Sequence, residues 1–111
     1  MKLETLKKAE EFKQGHFNLV QHFLKKECKI TVYDRFSDNC FIEKSNNYED
    51  IKKVIKDDET EIVIYDNEGK RLSWVWVIPY NEGIDTIADY SVSKSVDNWA
   101  DKFEKTMGEL S

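Results

Sequence analysis

The sequence predicts a single α+β domain in which helices pack mainly on one face of a largely antiparallel five-stranded sheet. Apolar residues recur at helical spacing in three segments, and alternate with polar residues in the segments between them. Two Asn-Glu-Gly tripeptides separate consecutive strand-like runs, as expected for hairpin turns. The chain of 111 residues fits one domain, residues 1–111, with the order α-β-β-α-β-β-β-α.

The first helix is predicted over residues 2–26. Its apolar stripe comprises Leu3, Leu6, Ala9, Phe12, Phe17, Val20, Phe23 and Leu24. Gly15 separates the two halves of this stripe, so we expect a kink or break there.

A β-hairpin is predicted over Cys28–Phe36 and Asn39–Lys44, because apolar residues occupy even positions in both runs. An odd-numbered loop at Phe36–Asp38 would place Val32 opposite Ile42 and Tyr33 opposite Phe41. This register points both cysteines, Cys28 and Cys40, inward as free buried thiols.

The second helix is predicted to begin after Asn47, which forms a capping-box pattern with Asp50, and to end at Asp57–Asp58. Its buried stripe comprises Tyr48, Ile51, Val54 and Ile55.

A three-stranded meander is predicted over Thr60–Asp66, Lys70–Tyr80 and Ile84–Tyr90. Gly69 suits the left-handed position of a three-residue loop, and the second Asn-Glu-Gly suggests a similar turn. This turn length places Ile64 opposite Leu72, Ile62 opposite Trp74, and Trp76 opposite Ala88. The tryptophans would then lie in the core, and Val75 and Val77 on the outer face.

The last helix is predicted from the spacing of Val96, Trp99, Ala100, Phe103 and Met107. Ser95 is its expected N-cap, and Gly108 its expected stop.

Charge is unevenly distributed along this chain of net charge -5. Residues 1–35 hold eight bases and five acids, whereas residues 36–111 hold nine bases and seventeen acids. This balance argues against direct nucleic-acid binding. No apolar run is long enough to span a membrane, and the start lacks the apolar stretch of a signal peptide. Two cysteines and no Asn-x-Ser/Thr acceptor favour a cytoplasmic protein.

Motifs of catalysis and cofactor binding are missing from the sequence. It contains no G-x-G-x-x-G, P-loop, H-E-x-x-H or G-x-S-x-G pattern. His16 and His22 are six residues apart and would not share a helix face as metal ligands do. We therefore expect no enzyme activity, no catalytic residues, no cofactor and no metal.

Two surfaces remain as candidates for binding a partner. One is acidic and is centred on Asp57–Glu68, which contains six acids and no base; the other is the outer face of the meander. The predicted partner-binding residues are Asp57, Asp58, Glu59, Glu61, Asp85, Asp89, Val75, Val77 and Ile87. Glu61 and Asp89 would share a cross-strand row with Val75, about 10 Å apart. Alternatively, the acids form a solvated rim, and the first helix or a second copy covers the apolar face.

The stretch Ile62–Ser91, IVIYDNEGKRLSWVWVIPYNEGIDTIADYS, resembles small acidic accessory proteins of bacteriophages and plasmids. In these, a strand ending in YD precedes a glycine turn, a Trp-containing strand and an ADYS-like segment. The resemblance covers about a quarter of the chain. It implies a mobile-element protein of the class that includes anti-CRISPR inhibitors, and it transfers no catalytic residue.

The leading hypothesis is a non-enzymatic acidic protein that inhibits a bacterial defence nuclease by occupying a basic, nucleic-acid-handling site. Its carboxylates would imitate phosphate charge in that site. One alternative is an acidic immunity or antitoxin protein that neutralises a basic toxin. Another is a small ligand-binding domain or enzyme, and a homodimer also remains open.

Overall fold

The computed structural model describes residues 10–110, with the side chain of Leu110 excepted, and confirms the predicted fold class and element order. The helices are α1 (Gly15–Lys25), α2 (Tyr48–Ile55) and α3 (Lys94–Leu110). The strands are β1 (Lys29–Asp34), β2 (Cys40–Ser45), β3 (Thr60–Tyr65), β4 (Arg71–Val77) and β5 (Ile87–Tyr90), and Gly83–Thr86 form a 3-10 turn. Among the described residues, no helix is long and apolar enough to cross a membrane.

The five strands form one sheet in the order β2-β1-β3-β4-β5, and all neighbours are antiparallel. The three helices pack on one face, which we call the covered face. The fully buried core there comprises Leu19, Val20, Ile30, Val32, Ile51, Ile55, Ile62, Ile64, Val75, Val77 and Val96. The other face, which we call the open face, has no helix of the described chain on it.

The break predicted at Gly15 is confirmed. Glu10 and Glu11 are helical, residues 12–14 form a turn, and α1 begins at Gly15. Gly15 is buried against the 3-10 turn so closely that a Cβ there would lie 2.8 Å from the carbonyl oxygen of Gly83. A side chain at this position would hold α1 away from the β4–β5 connection. The helix predicted over residues 2–9 lies outside the described residues.

The caps of the other two helices are partly as predicted. Asn47 caps α2, its side chain accepting a hydrogen bond from the backbone N–H of Asp50 at 3.1 Å. The prediction for α3 is wrong by two residues, because Ser93 rather than Ser95 accepts from the N–H of Val96 at 3.3 Å. Gly108 does not stop the helix, which continues to Leu110.

The β1–β2 hairpin has Val32 opposite Ile42, as predicted, but Tyr33 lies opposite Cys40 instead of Phe41. The extra residue in β2 breaks the alternation of faces. Cys28 is buried and free, as expected. The prediction that Cys40 is buried is wrong, because this free thiol is exposed.

A β-bulge changes the register of β3 and β4. The turn itself is as predicted: Asp66 N–H donates to the Lys70 carbonyl at 2.8 Å, and Gly69 has φ +85°. Tyr65 lies opposite Arg71, but Ile64 then lies opposite Ser73, because Leu72 is the extra residue of the bulge.

Every pair beyond that bulge is displaced by one residue from the prediction. Ile62 lies opposite Val75 instead of Trp74. Val75 and Val77 therefore belong to the core, and their predicted position on an exposed face is wrong. Trp74 and Trp76 lie half-buried on the open face instead.

The β4–β5 hairpin repeats this irregularity at Ala88. Val77 lies opposite Ile87, in line with the predicted register, but Trp76 lies opposite Asp89 instead of Ala88. The connection also differs from the first turn, because it includes the 3-10 turn, and Ile78 N–H donates to the carbonyl of Thr86 at 2.8 Å.

Candidate functional site

Three connections meet at one end of the sheet. They are the β1–β2 turn, the α2–β3 loop and the β4–β5 connection, since Asp34 lies opposite Thr60, Thr60 opposite Val77, and Val77 opposite Ile87. Residues far apart in sequence are thereby gathered in one place.

Exposed aromatic side chains occur in or beside these connections. Phe36 is 77% exposed and Tyr80 is 69% exposed, and Phe41 at the start of β2 is 48% exposed. Aromatic side chains are enriched at protein interfaces, where they bury a large area on binding. Exposed rings at one end of a small domain are therefore suited to contact a partner.

Carboxylates lie at the same end of the sheet. Asp57, Asp58 and Glu59 form the loop that leads into β3, and Asp57 and Asp58 line a shallow cavity of about 170 Å³ together with Phe41. Glu61 and Asp89 lie opposite Trp76 from its two sides, in one row across β3, β4 and β5. These two residues are two strand spacings, or about 10 Å, apart.

We call this region the sheet-end surface. Its members are Arg35, Phe36, Phe41, Asp57, Asp58, Glu59, Glu61, Trp76, Tyr80 and Asp89. They include five carboxylates and one guanidinium, with Lys53 and Lys56 at the margin. The surface is thus acidic and aromatic, a combination that complements a basic partner.

Glu59 organises the centre of this surface. Trp76 Nε1 donates to Oε1 of Glu59 at 3.1 Å, and the Tyr80 hydroxyl donates to Oε2 at 2.6 Å. The hydrogen bond to this carboxylate raises the pKa of Tyr80, because loss of the phenol proton would break the bond and place two negative charges together. One carboxylate therefore holds two aromatic rings from β4 and its following connection.

Arg35 links β3 and β4 through its contacts with Glu61 and Trp76. Its Nη1 lies 3.2 Å from Oε1 of Glu61, and its guanidinium lies 4.5 Å from the centroid of the Trp76 ring. A guanidinium over an indole face is a favourable cation–π arrangement. Together with Glu59, these contacts restrict the side chains before any partner binds, which lowers the entropy cost of binding.

The open face continues the aromatic character away from this end. Val63 is only 6% exposed although it is outside the helix-covered core, and Trp74 lies opposite it on β4. The Lys44 ammonium lies 4.9 Å from the ring centroid of Tyr65. Val63 and the rings of Tyr65 and Trp74 thus give this face an apolar surface, with the Lys44 ammonium over one ring.

Five of the nine predicted partner-binding residues belong to the sheet-end surface: Asp57, Asp58, Glu59, Glu61 and Asp89. Asp85 is exposed in the 3-10 turn, outside this group. Val75 and Val77 are fully buried and cannot contact a partner in the folded protein, and Ile87 packs against the core.

Sequence patterns alone placed Phe36, Trp76 and Tyr80 on the inward side, and Arg35 was not among the predicted partner-binding residues. A usable indication was present in β4, where the four consecutive residues Trp74–Val77 are all apolar. Such a strand must present one apolar set to the face that the helices leave open.

Within residues 10–110, no group of three or more His, Cys, Asp or Glu side chains is placed to hold a metal ion. The fold and this surface define a small α+β protein with one helix-covered sheet face and one aromatic open face. Comparison with protein-family models, curated proteins and solved structures finds no match.

Proposed function

We propose that this chain is a non-enzymatic binding protein that attaches to a basic protein through the sheet-end surface. The observation that carries the proposal is the position of five carboxylates and three exposed aromatic rings at one end of the sheet. Charge of one sign attracts a complementary partner over a distance, and aromatic anchors supply the contact once water is displaced.

The narrower form of the proposal concerns the identity of the partner. A nucleic-acid-handling protein presents a basic groove that binds regularly spaced phosphates. Carboxylates at Asp57, Asp58 and Asp89 would occupy such a groove in place of phosphates. The resemblance of Ile62–Ser91 to mobile-element proteins supports a bacterial defence nuclease as that partner and inhibition as the outcome.

The test compares capture from a bacterial host lysate by the wild type and by two charge variants. The first variant carries Asp57→Lys, Asp58→Lys and Asp89→Lys, which leaves the Glu59 and Glu61 contacts intact. The control carries Asp101→Lys, Glu104→Lys and Glu109→Lys, which reverses three exposed carboxylates of α3. We expect a basic, nucleic-acid-binding protein to be lost with the first variant and retained with the control.

The captured protein is then purified and titrated against salt. We expect affinity to fall between about 0.1 and 0.5 M salt, because screening acts on exposed charges. Inhibition of its DNA or RNA cleavage is the expected functional readout, and Phe36→Ser should weaken binding at every salt concentration. Capture that is unaffected by the first variant would overturn the proposal. Capture of a basic toxin instead of a nuclease would show that the chain acts as an antitoxin and not as a nuclease inhibitor.

A further inference from the structure

A second candidate site lies between α1 and α3, away from the sheet-end surface. A cleft of about 300 Å³ separates the two helices, which is a volume at the lower end of those that hold small ligands. Asn18, Gln21, His22 and Lys25 line it from α1, and Trp99, Lys102, Phe103 and Thr106 from α3. Each set follows the i, i+3, i+4, i+7 spacing of one helix face.

The cleft gathers basic groups in an otherwise acidic chain. His22, Lys25 and Lys102 line it, and no lining residue is acidic. Among the described residues, neither lysine has a carboxylate within ion-pair distance. Burial, and then Lys26, Lys102 and Lys25, lower the pKa of His22 from 6.5, so its ring is mainly neutral near pH 7 and the positive charge of the cleft comes from Lys25 and Lys102. The positive charge in the cleft is thus uncompensated by the described chain.

The floor of the cleft is aromatic and fixed in place. Trp99 and Phe103 are stacked with their ring centroids 5.3 Å apart. Trp99 Nε1 donates to Oδ1 of Asn18 at 3.0 Å, and Nδ2 of Asn18 donates to the carbonyl of Phe12 at 2.9 Å. This network braces the two helices and the preceding turn, so the cleft is a formed feature of the fold.

We propose that this cleft binds a small phosphate monoester with a planar ring, with the phosphate between Lys25, Lys102 and His22 and the ring toward the aromatic floor. A dianionic phosphate complements two ammonium groups better than a single carboxylate does, and the neutral imidazole of His22 can donate a hydrogen bond to it. Residues 1–9 of the chain carry three lysines and one glutamate, so their charge does not complement the cleft. The site is independent of the proposed protein partner.

The experiment titrates the full chain with AMP, and with adenosine and inorganic phosphate as partial probes, by calorimetry and by backbone amide NMR. We expect AMP to shift amide signals of α1 and α3 and to bind more tightly than either partial probe. The variant Lys25→Gln/Lys102→Gln should weaken AMP binding about tenfold, equivalent to about 1.4 kcal/mol. The control Lys70→Gln/Lys94→Gln removes the same charge elsewhere and should change the affinity less than about twofold.

Four outcomes overturn the site. They are no binding of AMP at millimolar concentration, equal binding of AMP and adenosine, equal weakening by both double variants, and amide shifts confined to the sheet. None of these outcomes would contradict the proposed role of the sheet-end surface, because the capture experiment tests other residues and another partner. Binding of AMP with retained capture by the wild type would support both sites independently.

Discussion

Trp76 and Glu59 are joined by a hydrogen bond of 3.1 Å from the indole nitrogen to a carboxylate oxygen on the open face of the sheet. The indole is half-buried there, beside Arg35, whereas Trp99 is 2% exposed in the core between the helices and the covered face. Trp76 and Trp99 thus have different structural roles. Trp99 stabilises the fold, and Trp76 shapes the surface.

Replacing each of these tryptophans by alanine tests that difference. We expect Trp99→Ala to lower the free energy of unfolding by about 3–5 kcal/mol, the usual cost of truncating a buried tryptophan. Trp76→Ala should lower it by about 1–2 kcal/mol, because half of the ring is in solvent and its cation–π contact is weak in water. Denaturant unfolding of both variants provides the measurement. Equal losses would place Trp76 in the core and contradict the bulge at Leu72.

Gly15 and Gly108 form a second matched pair. Gly15→Ala should destabilise the protein by about 1–3 kcal/mol, because the new Cβ meets the backbone of Gly83 at 2.8 Å and one element must move. Gly108→Ala has open space around its Cβ and should stabilise by up to about 1 kcal/mol through helix propensity. Thermal melts of both variants show the sign of each effect. A stabilising Gly15→Ala would mean that α1 is not in contact with the 3-10 turn.

His16 should make stability depend on pH. Burial lowers the pKa of this imidazole from 6.5 to about 4, and neither ring nitrogen has a hydrogen-bond partner within residues 10–110. Between these two values the unfolded chain binds the proton and the folded chain does not, so stability falls as the pH is lowered through 6.5. The loss approaches its limit near pH 4 and is about 2 kcal/mol by pH 5.

The pH dependence is measured by denaturant unfolding at pH 7 and pH 5. We expect His16→Leu to remove most of this loss, leaving only what the carboxylates contribute. His22→Gln changes a half-buried ring and should alter the difference less. An unchanged pH dependence in His16→Leu would show that the pKa of this imidazole is the same in the folded and unfolded chains.

The two thiols should differ in reactivity. Cys40 is exposed, whereas Cys28 is buried and its pKa is raised by that burial, so little thiolate forms there. With Ellman's reagent at pH 8, we expect one thiol to react rapidly and the second only after unfolding. Cys40→Ser should remove the rapid phase, and Cys28→Ser should preserve it. Two rapid thiols would mean that the end of α1 and the start of β1 do not pack as described.

Local patterns in the sequence were sufficient for the elements and their order. The apolar stripe of α2, the cap at Asn47 and the left-handed glycine at Gly69 depend on neighbours within a few residues, so they can be recognised without the fold. The acids of Asp57–Glu61 are likewise adjacent in sequence, and their clustering was visible there. Asp89 was correctly predicted to share a cross-strand row with Glu61. The β3–β4 and β4–β5 registers were each displaced by one residue on β4, so Trp76 replaces Val75 between them and the outer pair is unchanged.

Only the tertiary structure decided which side chains face the helices. In β4 the set of Val75 and Val77 and the set of Trp74 and Trp76 are both apolar, so the alternation alone does not choose between them. The extra residue of the bulge, Leu72, turns Val75 and Val77 toward the helices and the tryptophans toward the open face. The closely packed space under the helices accommodates the smaller valine side chains. The meeting of Trp76, Tyr80 and Glu59 follows from this orientation. Trp76 and Tyr80 are seventeen and twenty-one positions from Glu59 in the sequence. Their contacts with Glu59 exist only in the folded sheet, because loop and strand geometry bring the side chains together.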